Sequence, residues 1–215
     1  MPPIAIDRSR DALIVTDVQN DFCTGGALAV RGGEGVIPRI HALLPRFVHV
    51  ILTQDWHPPG HCSFASAHPG RDPYETIDLA YGRQTLWPDH CVQGTRGADF
   101  HAGLRTAEAR LIVRKGIHRE IDSYSTFYEN DRRTPTGLGG ALQELGVRRI
   151  FLTGLATDFC VFYSAGDARR LGFEVFLVED ACRAIDLEGS LARALAEMRA
   201  AGVQVVEAAL IRGRG

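Results

Sequence analysis

Six short apolar runs, separated by stretches of helical spacing or by one long polar segment, set the tightest limit on what this chain can fold into. They are Ala12-Leu13-Ile14-Val15-Thr16, Phe47 to Thr53, Leu111-Ile112-Val113, Arg149 to Thr153, Val175 to Val178 and Val203 to Val206. Each is continuously apolar rather than alternating, which suits a strand covered on both faces. Helical spacing runs from about Glu34 to Leu44, and from Thr136 as a cap through Leu145 to Gly146 as a stop. It recurs from near Cys160 to Leu171 with Gly172 as a stop, and from Leu187 to Ala201. Strands alternating with helices, joined by right-handed crossovers, predict an α/β fold: a doubly wound, mainly parallel six-stranded sheet with helices on both faces. A length of 215 residues suits one core of ordinary size, so residues 1–215 are read as a single domain.

Sheets of this kind bind ligands beyond the carboxyl ends of the strands, near the point where strand order reverses. Asp17, Asp55, Lys115 and Cys160 each stand at or just past the carboxyl end of a different predicted strand. A single buried cysteine is more often structural than reactive, by roughly three to one. Cys160 differs in standing where a helix begins, behind the small residues of Gly154-Leu155-Ala156-Thr157, where unpaired amides and the helix dipole favour a thiolate. Asp17 could take and return a proton and Lys115 could steady the anions, although singly each could equally be a turn cap or a solvated strand end. An unperturbed thiol is only about 3% ionised at neutral pH, so full ionisation gains about 2 kcal/mol. Enzymes commonly need about 8 kcal/mol or more, which requires preorganised oxyanion donors. The backbone amides of Ala156 and Cys160 are the candidates.

Between the second and third runs lies a polar, proline-rich and histidine-rich insertion at about 54–97, and loops that long are usually functional. It holds Asp55-Trp56-His57-Pro58-Pro59-Gly60-His61 and Trp87-Pro88-Asp89-His90-Cys91. Asp55 and His57, two apart at a strand end, point the same way, and His90 can complete a site of one carboxylate and two imidazoles for a divalent metal. Three protein ligands leave positions open, unlike a closed structural zinc site. His61 is a further candidate. His41, His49, His68, His101 and His118 read as solvent-exposed, and Cys23, Cys62, Cys91 and Cys182 as structural, although Cys62 and Cys91 adjoin the proposed ligands and could join them. Phe22, Trp87 and Tyr124 are candidates for an apolar pocket wall, though aromatic residues are more often plain packing. None of the glycine pairs forms a phosphate loop, so nucleotide binding has little support.

A net charge of -2 gives no electrostatic case for nucleic acid or an anionic membrane. No run is long enough to span a bilayer, and Met1 to Asp11 has no apolar core of signal-peptide length. Five irregularly spaced cysteines argue against a disulfide framework and for a reducing compartment. The expectation is a cytoplasmic protein with a small-molecule partner. A homo-oligomer is compatible with the sequence, which shows no legible interface.

Several motifs together resemble the nicotinamidase branch of the isochorismatase-like cysteine hydrolases. They are Asp17-Val18-Gln19-Asn20-Asp21-Phe22, Thr53-Gln54-Asp55-Trp56-His57-Pro58 with His61, Trp87 to Thr95, Lys115-Gly116, Asp122 to Phe127 and Gly154 to Val161. The resemblance extends from Leu13 to about Asp186. It implies a six-stranded doubly wound fold and hydrolysis of nicotinamide, with pyrazinamide as an alternative substrate, as a step of NAD salvage. It further implies Cys160 as nucleophile, Asp17 as general acid and base, Lys115 as electrostatic partner, and a cis bond between Leu155 and Ala156. Asp55, His57 and His90 match the family's metal ligands, with zinc the first expectation and iron or manganese alternatives. Whether His61 joins them stays open, because members differ in the spacing of that histidine. Phe22 and Trp87 match positions flanking the substrate ring. The competing readings are a related hydrolase of another small amide or ureido compound, and a non-catalytic metal-binding or small-molecule-binding protein.

Overall fold

The computed structural model describes residues 2–213. In chain order the strands are β1 (Ile4–Ala5), β2 (Asp11–Thr16), β3 (His49–Asp55), β4 (Thr76–Leu79), β5 (Gly82–Thr85), β6 (Leu111–Lys115), β7 (Arg149–Leu155), β8 (Glu174–Arg183), β9 (Gln204–Val206) and β10 (Ile211–Arg212). The α-helices are α1 (Ile37–Leu43), α2 (Leu138–Glu144), α3 (Phe162–Arg170) and α4 (Ser190–Ala200). Six strands form one parallel sheet in the order β6-β3-β2-β7-β8-β9. The six expected runs are its six strands. Beyond the expected elements, β1 pairs with β10, and β4 pairs with β5 as an antiparallel hairpin inside the insertion.

Continuous apolarity of the central strands is explained by what covers them. Leu13, Val15, Val50, Leu52 and Phe151 point into a core shared with Ile37, Ile40 and Leu43 of α1. Their neighbours Ala12, Ile14, Ile51, Ile150 and Leu152 point the other way, onto Leu142 of α2, Ala165 and Ala168 of α3, and Ala194 and Met198 of α4. Each face thus removes a full set of aliphatic side chains from water.

The chain leaves β2 for β3 on one side and leaves β7 for β8 on the other, so strand order reverses between β2 and β7. Their backbones meet closely there. Gly154 has φ +103°, and a Cβ on it would lie 2.0 Å from the Thr16 carbonyl oxygen, so this crossing tolerates no side chain. The crevice at the carboxyl ends of β2 and β7 is therefore where a ligand is expected. Asp17 follows β2 and Cys160 follows β7.

Several local expectations need correction. Gly137, with φ 92°, holds the cap position of α2, one residue later than expected, while the Thr136 hydroxyl accepts the Leu138 N–H of the first turn at 3.3 Å and donates to the Thr126 carbonyl at 2.6 Å. The helix expected from Glu34 splits into a 3-10 turn, Gly33–Val36, and α1. The helix expected from Leu187 becomes a 3-10 turn, Leu187–Gly189, before α4, because Asp186 and Glu188 take left-handed backbone angles. His49 is buried rather than exposed, its Nε2 lying 3.3 Å from the Ser9 carbonyl. Among the described residues no helix is long and apolar enough to cross a membrane.

Candidate active site

Three strand ends converge on one ammonium. Asp55 and Lys115 are partners across β3 and β6, so their side chains leave the sheet side by side. The Lys115 Nζ lies 2.9 Å from Asp17 Oδ2, donates to Asp55 Oδ1, donates to the Ser123 carbonyl at 2.8 Å and to Cys160 Sγ at 3.4 Å. Lys115 and Asp17 are completely buried. An ammonium has three protons to give. With Asp55, Ser123 and Cys160 taking them, Asp17 Oδ2 is left as an ion-pair contact without a hydrogen bond of good geometry. Its Oδ1 accepts from the Thr53 hydroxyl at 2.6 Å. Oδ2 is thus the oxygen of Asp17 open to a proton.

The electrostatics follow from two carboxylates sharing one cation. Burial pushes Asp17 up to about 6, with Lys115 pulling down and Asp55 pushing up. Burial raises Asp55 too, but Lys115 and His57 outweigh it and hold that carboxyl below its ordinary range. Lys115 stays charged: burial works against it, and the two carboxylates more than compensate. At Cys160 burial dominates and pushes the thiol well up, against the pull of Lys115. The expectation of a thiolate favoured by the helix start needs revision accordingly. Cys160 sits inside a wide helical turn, Thr157–Val161, and is a thiol until a base takes its proton. The Leu155–Ala156 peptide bond is cis.

The histidines gather on the other oxygen of Asp55. His57 Nε2 is 3.8 Å and His90 Nε2 4.0 Å from Asp55 Oδ2. Each ring is fixed by its opposite nitrogen, His57 Nδ1 at 3.1 Å from the Gly116 carbonyl and His90 Nδ1 at 2.8 Å from the Pro88 carbonyl. Carbonyls only accept, so Nδ1 carries a proton in each ring. Burial lowers His57, but the Asp55 carboxylate outweighs it and raises it, so a metal ion would take the place of a proton at His57 Nε2. Gly116 allows this approach, since a Cβ there would fall 2.4 Å from the His57 ring. Burial, then His57, press His90 down to about 4, which keeps it neutral. One ligand atom from each of Asp55, His57 and His90 lies within 4.8 Å of the others. One carboxylate oxygen and two imidazole nitrogens, each oriented from behind, suit a divalent cation of borderline softness.

His61 is buried, but Ser63 Oγ at 2.7 Å and the Ile121 carbonyl at 3.1 Å occupy its two nitrogens. It groups with His57 and Asp122 rather than with Asp55 and His90. Neither Cys62 nor Cys91 belongs to a donor group among the described residues.

Phe22, Trp87 and Tyr124 line a narrow pocket whose other wall is apolar, from Leu28, Phe159 and Ile185, and which opens on Cys160, Asp55 and the histidines. Phe159 lies edge-on to Trp87, 4.9 Å between centroids. Sequence reasoning missed Phe159, although it directly precedes Cys160. It also missed Gln19, whose side-chain amide grips the Asp55 backbone twice: Nε2 donates to the Asp55 carbonyl and Oε1 accepts the Asp55 N–H, both at 2.8 Å. A glutamine two residues past Asp17 carries no periodic signal, and only the topology reveals this role.

A single parallel sheet covered by helices on both faces, with a buried cysteine, lysine and carboxylate at its switch point, defines a three-layer α/β protein with a sulfur centre. The chain belongs to the isochorismatase family: the isochorismatase domain model matches residues 11–209. It is 54% identical over 193 residues to a nicotinamidase of Acinetobacter baylyi, covering 90% of each chain. The solved structure of PnC1 from L. infantum in complex with nicotinate superposes with a TM-score of 0.87 at 40% identity, covering 99% of this chain and all (100%) of that one. A pyrazinamidase of Pyrococcus horikoshii in complex with zinc matches at 36% identity and a TM-score of 0.75, covering 92% of this chain and 99% of the other.

Proposed function

We propose that the chain is a nicotinamidase, hydrolysing nicotinamide to nicotinate and ammonia, with pyrazinamide as an alternative substrate. The observation that carries this reading is the meeting of Cys160 Sγ and Asp17 on one Lys115 ammonium at the mouth of an aromatic pocket. The names and bound nicotinate of its relatives support the ring carboxamide as substrate.

In this reading Asp17 Oδ2 takes the Cys160 proton as Sγ attacks the carboxamide carbon. The carbonyl oxygen becomes an oxyanion held by the amides of Ala156 and Cys160. Asp17 returns the proton to the nitrogen, the C–N bond breaks and ammonia leaves a thioester. Water then adds to the thioester carbon while Asp17 accepts its proton. The C–S bond breaks, nicotinate departs, and the proton goes back to sulfur. Lys115 steadies both anions and never needs to change charge. Phe22 and Trp87 flank the ring, and Tyr124 closes the slot.

Asp55, His57 and His90 would hold a divalent metal, zinc first by the donor set and by the zinc-bound relative. Such an ion supplies a Lewis-acidic anchor for a ring nitrogen. Five unpaired thiols suit a reducing compartment, which supports a cytoplasmic enzyme. The direct test is ammonia release from nicotinamide by the purified protein, with and without chelator, beside Cys160→Ala. Release that vanishes in the variant and falls on chelation supports the reading. Retained release in Cys160→Ala would remove the thioester route.

A further inference from the structure

One polar side chain of the insertion is fully buried and belongs to none of the groups above. Gln84 lies in β5, on a hairpin whose other residues are exposed or half-buried. Such a hairpin has little apolar surface with which to dock, so its anchorage is polar. The Gln84 Nε2 lies 2.7 Å from the Asp122 carboxylate, 2.7 Å from the Thr85 carbonyl and 3.0 Å from the Tyr124 hydroxyl oxygen, three acceptors that share its two protons. Its Oε1 accepts from the Tyr81 hydroxyl at 2.9 Å and from Asn130 Nδ2 at 3.3 Å. Acceptors on one side and donors on the other leave the amide a single workable orientation.

The chain of bonds continues into the pocket. The Trp87 indole, which can only donate, gives its Nε1–H to the Tyr124 hydroxyl at 3.1 Å. Trp87 and Tyr124 stand nearly perpendicular, at 84°, and both contact Phe159 edge-on. At its other end, Asp122 offers an oxygen within 4.8 Å of ligand nitrogens of His57 and His61. Gln84 therefore joins the ring wall of the pocket to the carboxylate behind the histidines, without touching the pocket itself.

We propose that Gln84 is a positioning residue that holds Tyr124, and through it Trp87, in place at the pocket wall, and so governs how tightly an aromatic carboxamide is bound. The inference rests on the nicotinamidase reading. Without the Gln84 amide, the Tyr124 hydroxyl and the Asp122 carboxylate each lose a buried partner and recover one only by shifting toward water. That shift widens the slot. It leaves Cys160, Asp17 and Lys115 where they are, since none of them bonds to Gln84.

The test compares Gln84→Leu, Tyr124→Phe and the double variant with the wild type, all metal-loaded, in steady-state hydrolysis of nicotinamide with thermal melting as the fold control. Gln84→Leu is expected to raise KM about tenfold, the scale of one buried hydrogen bond, while kcat changes far less. Tyr124→Phe deletes only the hydroxyl that links Gln84 to Trp87, and it is expected to raise KM in the same way. If Gln84→Leu does not fold, Tyr124→Phe decides the matter alone. In the double variant the two penalties are expected to overlap rather than add. Additive penalties, an unchanged KM, or a fall in kcat at constant KM would each overturn the role of Gln84 and leave the amidase reading standing. No ammonia release from the wild type would remove both.

Discussion

Asp17 and Asp55 stand at the ends of neighbouring strands, are both buried and lie on the same ammonium, yet they are poised for opposite tasks. Asp55 has Lys115 on one oxygen and two imidazole nitrogens facing the other at 3.8 and 4.0 Å, and its backbone is clamped by Gln19. Asp17 has one oxygen without a hydrogen bond and a left-handed backbone, φ 48°, that turns it back over the sheet. The cation satisfies the better-surrounded carboxylate first. The other is left near neutrality in its affinity for a proton, as the proposed acid and base must be.

The two carboxylates also pull stability in opposite directions with pH. Asp17, raised in the folded state, favours folding while protonated; that contribution fades as pH rises from its ordinary value near 4 to about 6. Asp55, lowered in the folded state, contributes stability above its unfolded value, lost as pH falls through the folded one.

The comparison breaks most sharply under Asp17→Asn. Turnover is expected to fall about 10,000-fold, because one group serves as base and acid in both halves of the reaction. Metal content, measured by atomic absorption, should stay at the wild-type level; a loss of metal would mean that Asp17 belongs to the cation site. Asp55→Asn should do the reverse and empty the metal site. It should also cost about 3 kcal/mol in denaturant titration, since it strips a charge from a buried pair. Equal destabilisation by Asp17→Asn would show that the ammonium does not prefer one partner. The smallest effect is in the pH profile. With Asp17 near 6, kcat/KM should drop about tenfold per pH unit below that point, and this acid limb should vanish from the residual rate of Asp17→Asn.

Much of this arrangement can be read in the sequence because burial on two faces leaves an unmistakable trace. The runs Ala12–Val15 and Ile150–Leu152 inside strands Asp11–Thr16 and Arg149–Leu155 are continuously apolar for that reason, and the strand ends announce Asp17 and the Cys160 turn. The matching motifs identify Asp55, His57 and His90, and the structure brings all three together. What escapes is structure held by polar bonds. The hairpin Thr76–Leu79 with Gly82–Thr85 alternates only over Thr-Ile-Asp-Leu, too short a run to announce a strand, and Gln84 looks like any glutamine in a polar loop. β8 runs to Arg183, past the expected Val178, because Glu179 and Asp180 interrupt its apolar pattern while Ala181 and Cys182 return to the core. The raised Cys160 thiol escapes for a related reason. Position at a helix start is visible in sequence, but complete enclosure beside two carboxylates is not.

The five thiols carry a practical consequence for covalent chemistry. All are buried, and burial raises Cys23 and Cys62 to about 11, so at neutral pH they offer an alkylating reagent almost no thiolate. Cys160 alone among them lines the pocket and has a proton acceptor at hand. A mild electrophile mounted on a flat heteroaromatic ring should therefore mark this one sulfur, giving an active-site titrant whose stoichiometry counts functional molecules and a starting point for selective inactivators.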